Sequence, residues 1–124
     1  MGLETFFFET YAFFEIIRGN PAYHHFEKGV AIITTKLNLM ELYYGLLIMR
    51  GEKEAELAYS TLATFAVDAN DEIIKDAMKF RALHKGRGLS YVDCIGYTLA
   101  RKRGVRFLTG DKEFERLEGV EFVK

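Results

Sequence analysis

The chain has 124 residues and a mass of 14.3 kDa, which fits one domain over residues 1–124 and leaves no room for a second sizeable one. Hydrophobic residues make up 49% and charged residues 28%, too apolar a mixture for a disordered chain. The net charge of −1, from 17 basic and 18 acidic residues, excludes the cationic field of a non-specific nucleic-acid coat protein, and a single cysteine, Cys94, excludes an internal disulfide.

The Phe-rich start, Leu3 to Ile17, carries Glu4, Glu9 and Glu15, so it has neither the basic leader of a signal peptide nor an uncharged run long enough to span a membrane. With one free thiol, this predicts a soluble cytoplasmic protein with no membrane partner. Thr5-Phe6-Phe7-Phe8 reads as a short buried strand, aromatic and continuous. Tyr11 to Arg18 reads as a helix stopped by Gly19-Asn20, and Pro21 opens a short helix ended by Gly29. Val30 to Thr34 is a second, β-branched strand. A long apolar helix runs from about Leu37 to Met49, and a helix with a polar face from about Glu52 to Thr64.

Phe65-Ala66-Val67 is a candidate inner strand. Asn70 caps a helix with Asp71 and Glu72 in its first turn, and His84, Lys85 and Gly86 end it, the charge bias that a helix dipole favours. Ser90 caps the next helix, which runs to Arg103-Gly104. Val105 to Leu108 is a strand that turns out through Thr109-Gly110-Asp111, where Gly110 supplies the backbone freedom for a sharp turn. A short helix from about Lys112 to Leu117 leads to a last strand, Val120 to Val123. Strands alternating with helices predict an α/β fold, a parallel sheet with helices on both faces. In such sheets, ligands bind beyond the carboxyl ends of the strands.

Four carboxylates stand out by that rule. Glu9 follows the first strand, and Asp111 follows the Val105–Leu108 strand. Glu41 sits in the apolar helix, with Leu37, Asn38, Tyr44 and Gly45 as its neighbours one turn away and no Lys or Arg nearer than Lys36. Little of that helix is expected to face water, so a solvated stripe accounts poorly for this acid. Asp93 stands three residues after Ser90, the spacing of a capping box, which gives it a purely structural alternative. Two unit charges ~4 Å apart repel by about 4 kcal/mol at an effective dielectric of ~20. Four carboxylates in one pocket therefore raise their proton affinity or recruit a cation, and all-oxygen ligation selects Mg²⁺ or Mn²⁺ over zinc.

From Phe6 to Val123 the chain resembles a PIN domain, the fold of VapC-type toxin ribonucleases. The resemblance rests on Ser90-x-x-Asp93 opening a helix, then a strand, then Thr109-Gly110-Asp111-Lys112-Glu113-Phe114, with Leu39-Met40-Glu41-Leu42 as the acidic helix. One departure is Glu9-Thr10, where the family usually has Asp-Thr or Asp-Ser. The resemblance implies a three-layer sandwich around a parallel sheet of four to five strands. It also implies a metal-dependent endoribonuclease that cleaves single-stranded RNA, the toxin of a toxin–antitoxin pair. In that scheme Glu9, Glu41, Asp93 and Asp111 are the catalytic metal ligands, and Thr10 and Thr109 orient ligands or water. Lys85, Arg87 and Lys112 are candidate RNA contacts, and Tyr11, Tyr91 and Tyr97 candidate stacking surfaces, with core packing as the alternative for the tyrosines. Arg101, Lys102 and Arg103 read better as a solvated helix end. A homodimer is expected, its aromatics supplied by Tyr11–Ile17 and the helix from Glu52.

Two other readings bear on function. A response-regulator receiver would carry paired acids after its first strand and an Asp–Lys pair after later ones, and this chain has neither. The alternative that stays open is a PIN-like module, catalytically weakened at Glu9, that binds RNA or protein without cutting.

Overall fold

The computed structural model describes residues 2–124. Four strands form one wholly parallel sheet: β1 (Glu4–Phe8), β2 (Val30–Ile33), β3 (Arg106–Thr109) and β4 (Val120–Phe122), in the order β2-β1-β3-β4. The helices are α1 (Thr10–Ile17), α2 (Lys36–Arg50), α3 (Glu52–Leu62), α4 (Asp71–Leu83) and α5 (Tyr91–Arg103). The segments Pro21–Phe26 and Lys112–Phe114, expected as short helices, are 3-10 turns.

Alternation along the two central strands sets the layers. Phe7 and Phe107 point to one face and stack at 5.4 Å, packing with Ile73, Ala77, Leu99 and Phe114 against α4 and α5. Phe6, Phe8 and Leu108 point to the other face and pack with Phe13, Tyr23, Phe26, Leu39, Leu42 and Leu46 against α1 and α2. The result is the expected three-layer sandwich. Cys94 is fully buried among the first group, as a small core residue.

The Phe65–Val67 segment is not an inner strand. Ala63–Phe65 is a 3-10 turn, and Ala66 makes a single parallel bridge to Thr34, with Thr34 N–H donating to Phe65 O and Val67 N–H to Thr34 O. It therefore meets the sheet at its β2 edge, through that one bridge.

Of the two segments expected to expose aromatics, α1 turns most of its apolar side chains inward: Phe13 is buried, and Phe14, Ile16 and Ile17 pack half-buried against the core. Exposed apolar residues gather most densely on α2, where Leu37, Met40, Tyr44, Leu47 and Ile48 recur at helical spacing, and Leu57 is exposed on α3. The expectation that little of this helix faces water fails for the same reason.

Gly110 serves a different purpose from the one its turn suggested. It is not among the glycines with positive φ. A Cβ there would collide with the Val123 carbonyl oxygen and the Tyr11 ring, so the position needs space, not unusual backbone angles. Backbone resists displacement more than a free side-chain end does. Gly110→Ala is expected to lower stability by about 1–3 kcal/mol, the usual cost of overpacking, read as a lower urea midpoint with an unchanged slope.

Candidate active site

Because all strands run the same way, their carboxyl ends share one edge. β1 ends into Glu9 and Thr10, and β3 into Thr109, Gly110 and Asp111. A cavity of about 720 Å³ opens there, lined by Glu9, Thr10, Tyr11, Phe14, Met40, Glu41, Tyr44, Ser90, Asp93 and Asp111. All four carboxylates singled out in the sequence line it, and no Lys, Arg or His does.

Glu9 caps α1 and is only 5% exposed. Its Oε2 accepts from the Tyr11 N–H at 3.1 Å, and its Oε1 accepts from the Thr109 hydroxyl at 2.5 Å. Burial pushes its carboxyl up to about 8; the bond from Thr109 opposes this, the charge of Asp93 adds to it, the bond from Tyr11 opposes it and the charge of Asp111 adds again.

Asp93 does form the capping box: its N–H donates to Ser90 Oγ, and its Oδ2 accepts from the Ser90 N–H at 3.1 Å. The capping and pocket-facing roles coexist, because a box on a helix that starts at this edge aims its acid at the cavity. Burial lifts the Asp93 carboxyl to about 6, against its hydrogen bonds with Ser90 and helped by the charges of Asp111 and Glu41. Asp111 caps the Lys112–Phe114 turn, its Oδ1 accepting from the Glu113 N–H at 3.0 Å. Glu41 is half-buried, and its Oε1 accepts from the Thr10 hydroxyl at 2.7 Å.

Thr10 and Thr109 thus each hold one carboxylate, the part expected of them. Asn38 is the polar residue that sequence reasoning passed over. It is fully buried and donates to Thr10 Oγ1 at 3.0 Å. Its signal was its place one turn before Glu41, on the same face of α2. Met40 and Tyr44 were missed as cavity walls, although their spacing around Glu41 had the same meaning.

The basic candidates lie outside the cavity. Arg87 donates to the Glu113 carbonyl and pairs with the Glu113 carboxylate at 3.8 Å, so it braces the loop before Asp93. Lys85 and Lys112 are exposed and form no ion pair among the described residues. Arg101 pairs with Glu118, and Lys102 with Glu72 and Asp76, as a solvated helix end does. Tyr97 is a core residue beside Phe107 and Phe114, Tyr91 is exposed under the Arg81 guanidinium, and Tyr11 alone of the three lines the cavity.

The donor set is wholly oxygen and acidic, which suits Mg²⁺ or Mn²⁺. Among the described residues, no three carboxylates converge into a ready-made metal cluster. The reason is visible: Glu9, Asp93 and Asp111 each give an oxygen to a backbone N–H, and like charges stand apart.

Sheet order, helix layers and an acidic edge together define a PIN domain. The family model for the PIN domain matches residues 6–120, and the chain belongs to that family. Solved structures share its fold. The sarcin–ricin-loop-cleaving toxin VapC20 of Mycobacterium tuberculosis superposes with a TM-score of 0.79 at 19% identity, over 96% of this chain and 99% of that one. A toxin–antitoxin complex from Klebsiella pneumoniae gives 0.73 at 19% identity, over 93% and 94%. A DNA-bound VapBC from Salmonella typhimurium gives 0.72 at 19% identity, over 97% of each chain. No curated protein matches the chain. No described helix is long and apolar enough to cross a membrane.

The raised carboxyls make a prediction whose sign is set by linkage. Glu9 and Asp93 hold protons more tightly when folded than when unfolded, so their contribution is complete below about 4.5 and about 3.8. It is lost as pH rises through about 6 for Asp93 and about 8 for Glu9. In chelator, the melting temperature is expected to fall across that window. Glu9→Gln, which has no proton to lose, should flatten its upper part. Thermal melts at a series of pH values check both.

Proposed function

We propose that this protein is a divalent-metal-dependent endoribonuclease acting on single-stranded RNA, and the toxin of a toxin–antitoxin pair. The observation that carries this is the cavity in which Glu9, Glu41, Asp93 and Asp111, from four separate parts of the chain, meet without a basic side chain among its lining residues. Membership of the PIN family supports the ribonuclease reading, and the toxin and toxin–antitoxin neighbours support the pairing.

In this reading the four carboxylates hold Mg²⁺ or Mn²⁺, directly or through water. When bound, the ion neutralises developing charge and makes a water acidic enough to attack a phosphodiester. Thr109 and Thr10 keep Glu9 and Glu41 oriented. Tyr11, Phe14 and Tyr44 give the cavity an aromatic wall against which unpaired bases can stack. Water adds across the P–O3′ bond, the hydroxyl going to phosphorus and the proton to the leaving 3′ oxygen, which gives 5′-phosphate ends. Exposed Lys85 and Lys112 are the remaining candidates for distant phosphates, and Arg87 contributes only what its bond to Glu113 leaves free.

Two surfaces fit protein partners. A second cavity of about 440 Å³, walled by Phe13, Ile16, Ile17, Phe26, Leu57 and Leu62, is apolar enough to take a segment of an antitoxin. The exposed stripe on α2 fits a homodimer, and light scattering at tens of micromolar should give twice the chain mass. In this reading the protein resides in the cytoplasm, where cellular RNA and an antitoxin would meet it.

One observation favours the weaker alternative, a PIN module that binds RNA or protein without cutting. Both Glu9 oxygens already hold hydrogen bonds, and burial keeps this acid protonated at neutral pH until a cation displaces the proton. Cleavage of an unstructured RNA with Mn²⁺ separates the two. Asp111→Asn should lose more than the ~100-fold that removing an outer partner of a metal site costs. Glu9→Asp should lower the rate, because the pocket is fitted to the longer acid; a rise would favour the weakened module.

A further inference from the structure

We propose that Asn38 is a positioning residue for Glu41, fixing through Thr10 the direction in which that carboxylate presents its oxygens. This rests on the metal-dependent reading of the cavity.

Thr35 caps α2, and its Oγ1 accepts from the Asn38 N–H at 3.2 Å. With that lone pair committed, its hydroxyl hydrogen goes to Asn38 Oδ1 at 2.6 Å. The Asn38 amide is thereby oriented, oxygen toward Thr35 and nitrogen toward Thr10. Its Nδ2 donates to Thr10 Oγ1 at 3.0 Å. A threonine hydroxyl has one hydrogen, and one facing an amide N–H cannot send it back. The Thr10 hydrogen therefore goes to Glu41 Oε1 at 2.7 Å. Each member donates forward, from the cap of α2 to the cavity.

Burial makes this direction binding. Thr35, Asn38 and Thr10 are all buried, Asn38 completely, so water does not offer competing partners. Glu41 is different: it is half-buried on a helix face that it shares with exposed Tyr44, and a glutamate there has several rotamers to choose from. No other hydrogen bond holds its carboxylate among the described residues. Its orientation hangs on one hydroxyl, and the direction of that hydroxyl hangs on Asn38. Thr109 is directed by the same device, accepting from the Asp111 N–H at 3.0 Å and donating to Glu9. At Glu9 the director is backbone, and at Glu41 it is a side chain that substitution can remove.

The test is a double-mutant cycle read by Mn²⁺ binding calorimetry on the intact chain, with thermal melts alongside. Asn38→Leu keeps the volume and removes the amide; Thr10→Val keeps the shape and removes the hydroxyl. Each is expected to weaken Mn²⁺ binding by ~10-fold or more, within the range for outer partners of metal ligands. The double variant should bind no more weakly than Thr10→Val alone, because Asn38 acts through Thr10. Thr10→Ser, which restores the hydroxyl, should restore most of the affinity. Effects that add would overturn the proposal, as would an Asn38→Leu protein that melts lower but binds Mn²⁺ like the parent. If Asn38→Leu does not fold, Asn38→Ala takes its place in the cycle under the same criteria. A parent protein that binds no Mn²⁺ would overturn the metal-dependent reading and this proposal with it. A parent that binds, beside an Asn38 variant that binds equally well, would overturn this proposal alone.

Discussion

The parallel register between β1 and β3 places everything at the carboxyl edge. Phe8 pairs with Leu108, so the residues that follow, Glu9 and Thr109, leave the sheet side by side. Glu9 N–H still donates to Leu108 O, and the Thr109 hydroxyl reaches the Glu9 carboxylate across one hundred positions of sequence. That register is held by the aromatic core. Phe7 and Phe107 meet on one face, while Phe8 and Leu108 meet packing on the other. A slip of one residue would send each set to the wrong face and part Glu9 from Thr109 at the same time. The packing of four apolar side chains thus fixes the polar geometry one residue beyond them.

Charge is distributed to leave that edge uncompensated. Of the basic residues in the loops beside it, Arg87 is committed to Glu113, while Arg101, Lys102 and Arg106 stand at the last turn of α5 and the first residue of β3, toward the opposite edge, and pair there with Glu118, with Glu72 and Asp76, and with Glu121. Exposed pairs of this kind add little stability, on the order of 0–1 kcal/mol each. Only the Arg87–Glu113 pair bears on the site, because it holds a guanidinium in the loop before Asp93 outside the acidic cavity. Burial first, and the neighbouring carboxylates after it, raise the Glu9 and Asp93 carboxyls. Under the metal-dependent reading, proton and divalent ion compete for the same oxygens, and metal affinity rises with pH over the range in which these acids ionise.

Much of this was legible in the sequence because the governing features are local. Continuous apolar runs and turn residues mark the strands and most helix ends, and the carboxyl-end rule selects Glu9 and Asp111 without reference to a structure. Ser90 and Asp93 declare their capping box by spacing alone. What was not legible depends on contacts between distant segments. Phe65–Val67 has strand composition, but only the position of Thr34 shows that it meets the sheet at an edge and for one residue. The apolar side chains of α2 look like core by composition, yet α2 carries its share of the core on Leu39, Leu42 and Leu46 and leaves the rest outside. Gly110 reads as a flexible turn because its true neighbours, Val123 and Tyr11, lie at opposite ends of the chain. Asn38 looked like an ordinary helix residue until Thr10 was seen beside it.

Glu9 is where this chain departs from the usual acid of its family, and the surroundings show a fitted position. At the cap of α1 an aspartate would suffice to accept the Tyr11 N–H, as short acids do at helix starts. Glu9 accepts that N–H with one oxygen and also reaches Thr109 with the other. Removing one methylene would draw the carboxylate back by about 1.5 Å, the length of a carbon–carbon bond. The 2.5 Å bond to Thr109 would then open beyond hydrogen-bonding range unless the backbone moved. The backbone has little room to move, since Gly110 is wedged between Tyr11 and the Val123 carbonyl. Thr109 is in turn directed by the Asp111 N–H, so the longer acid ties the end of β1 to the turn that carries Asp111. The extra methylene therefore spans a gap that this arrangement of strands creates.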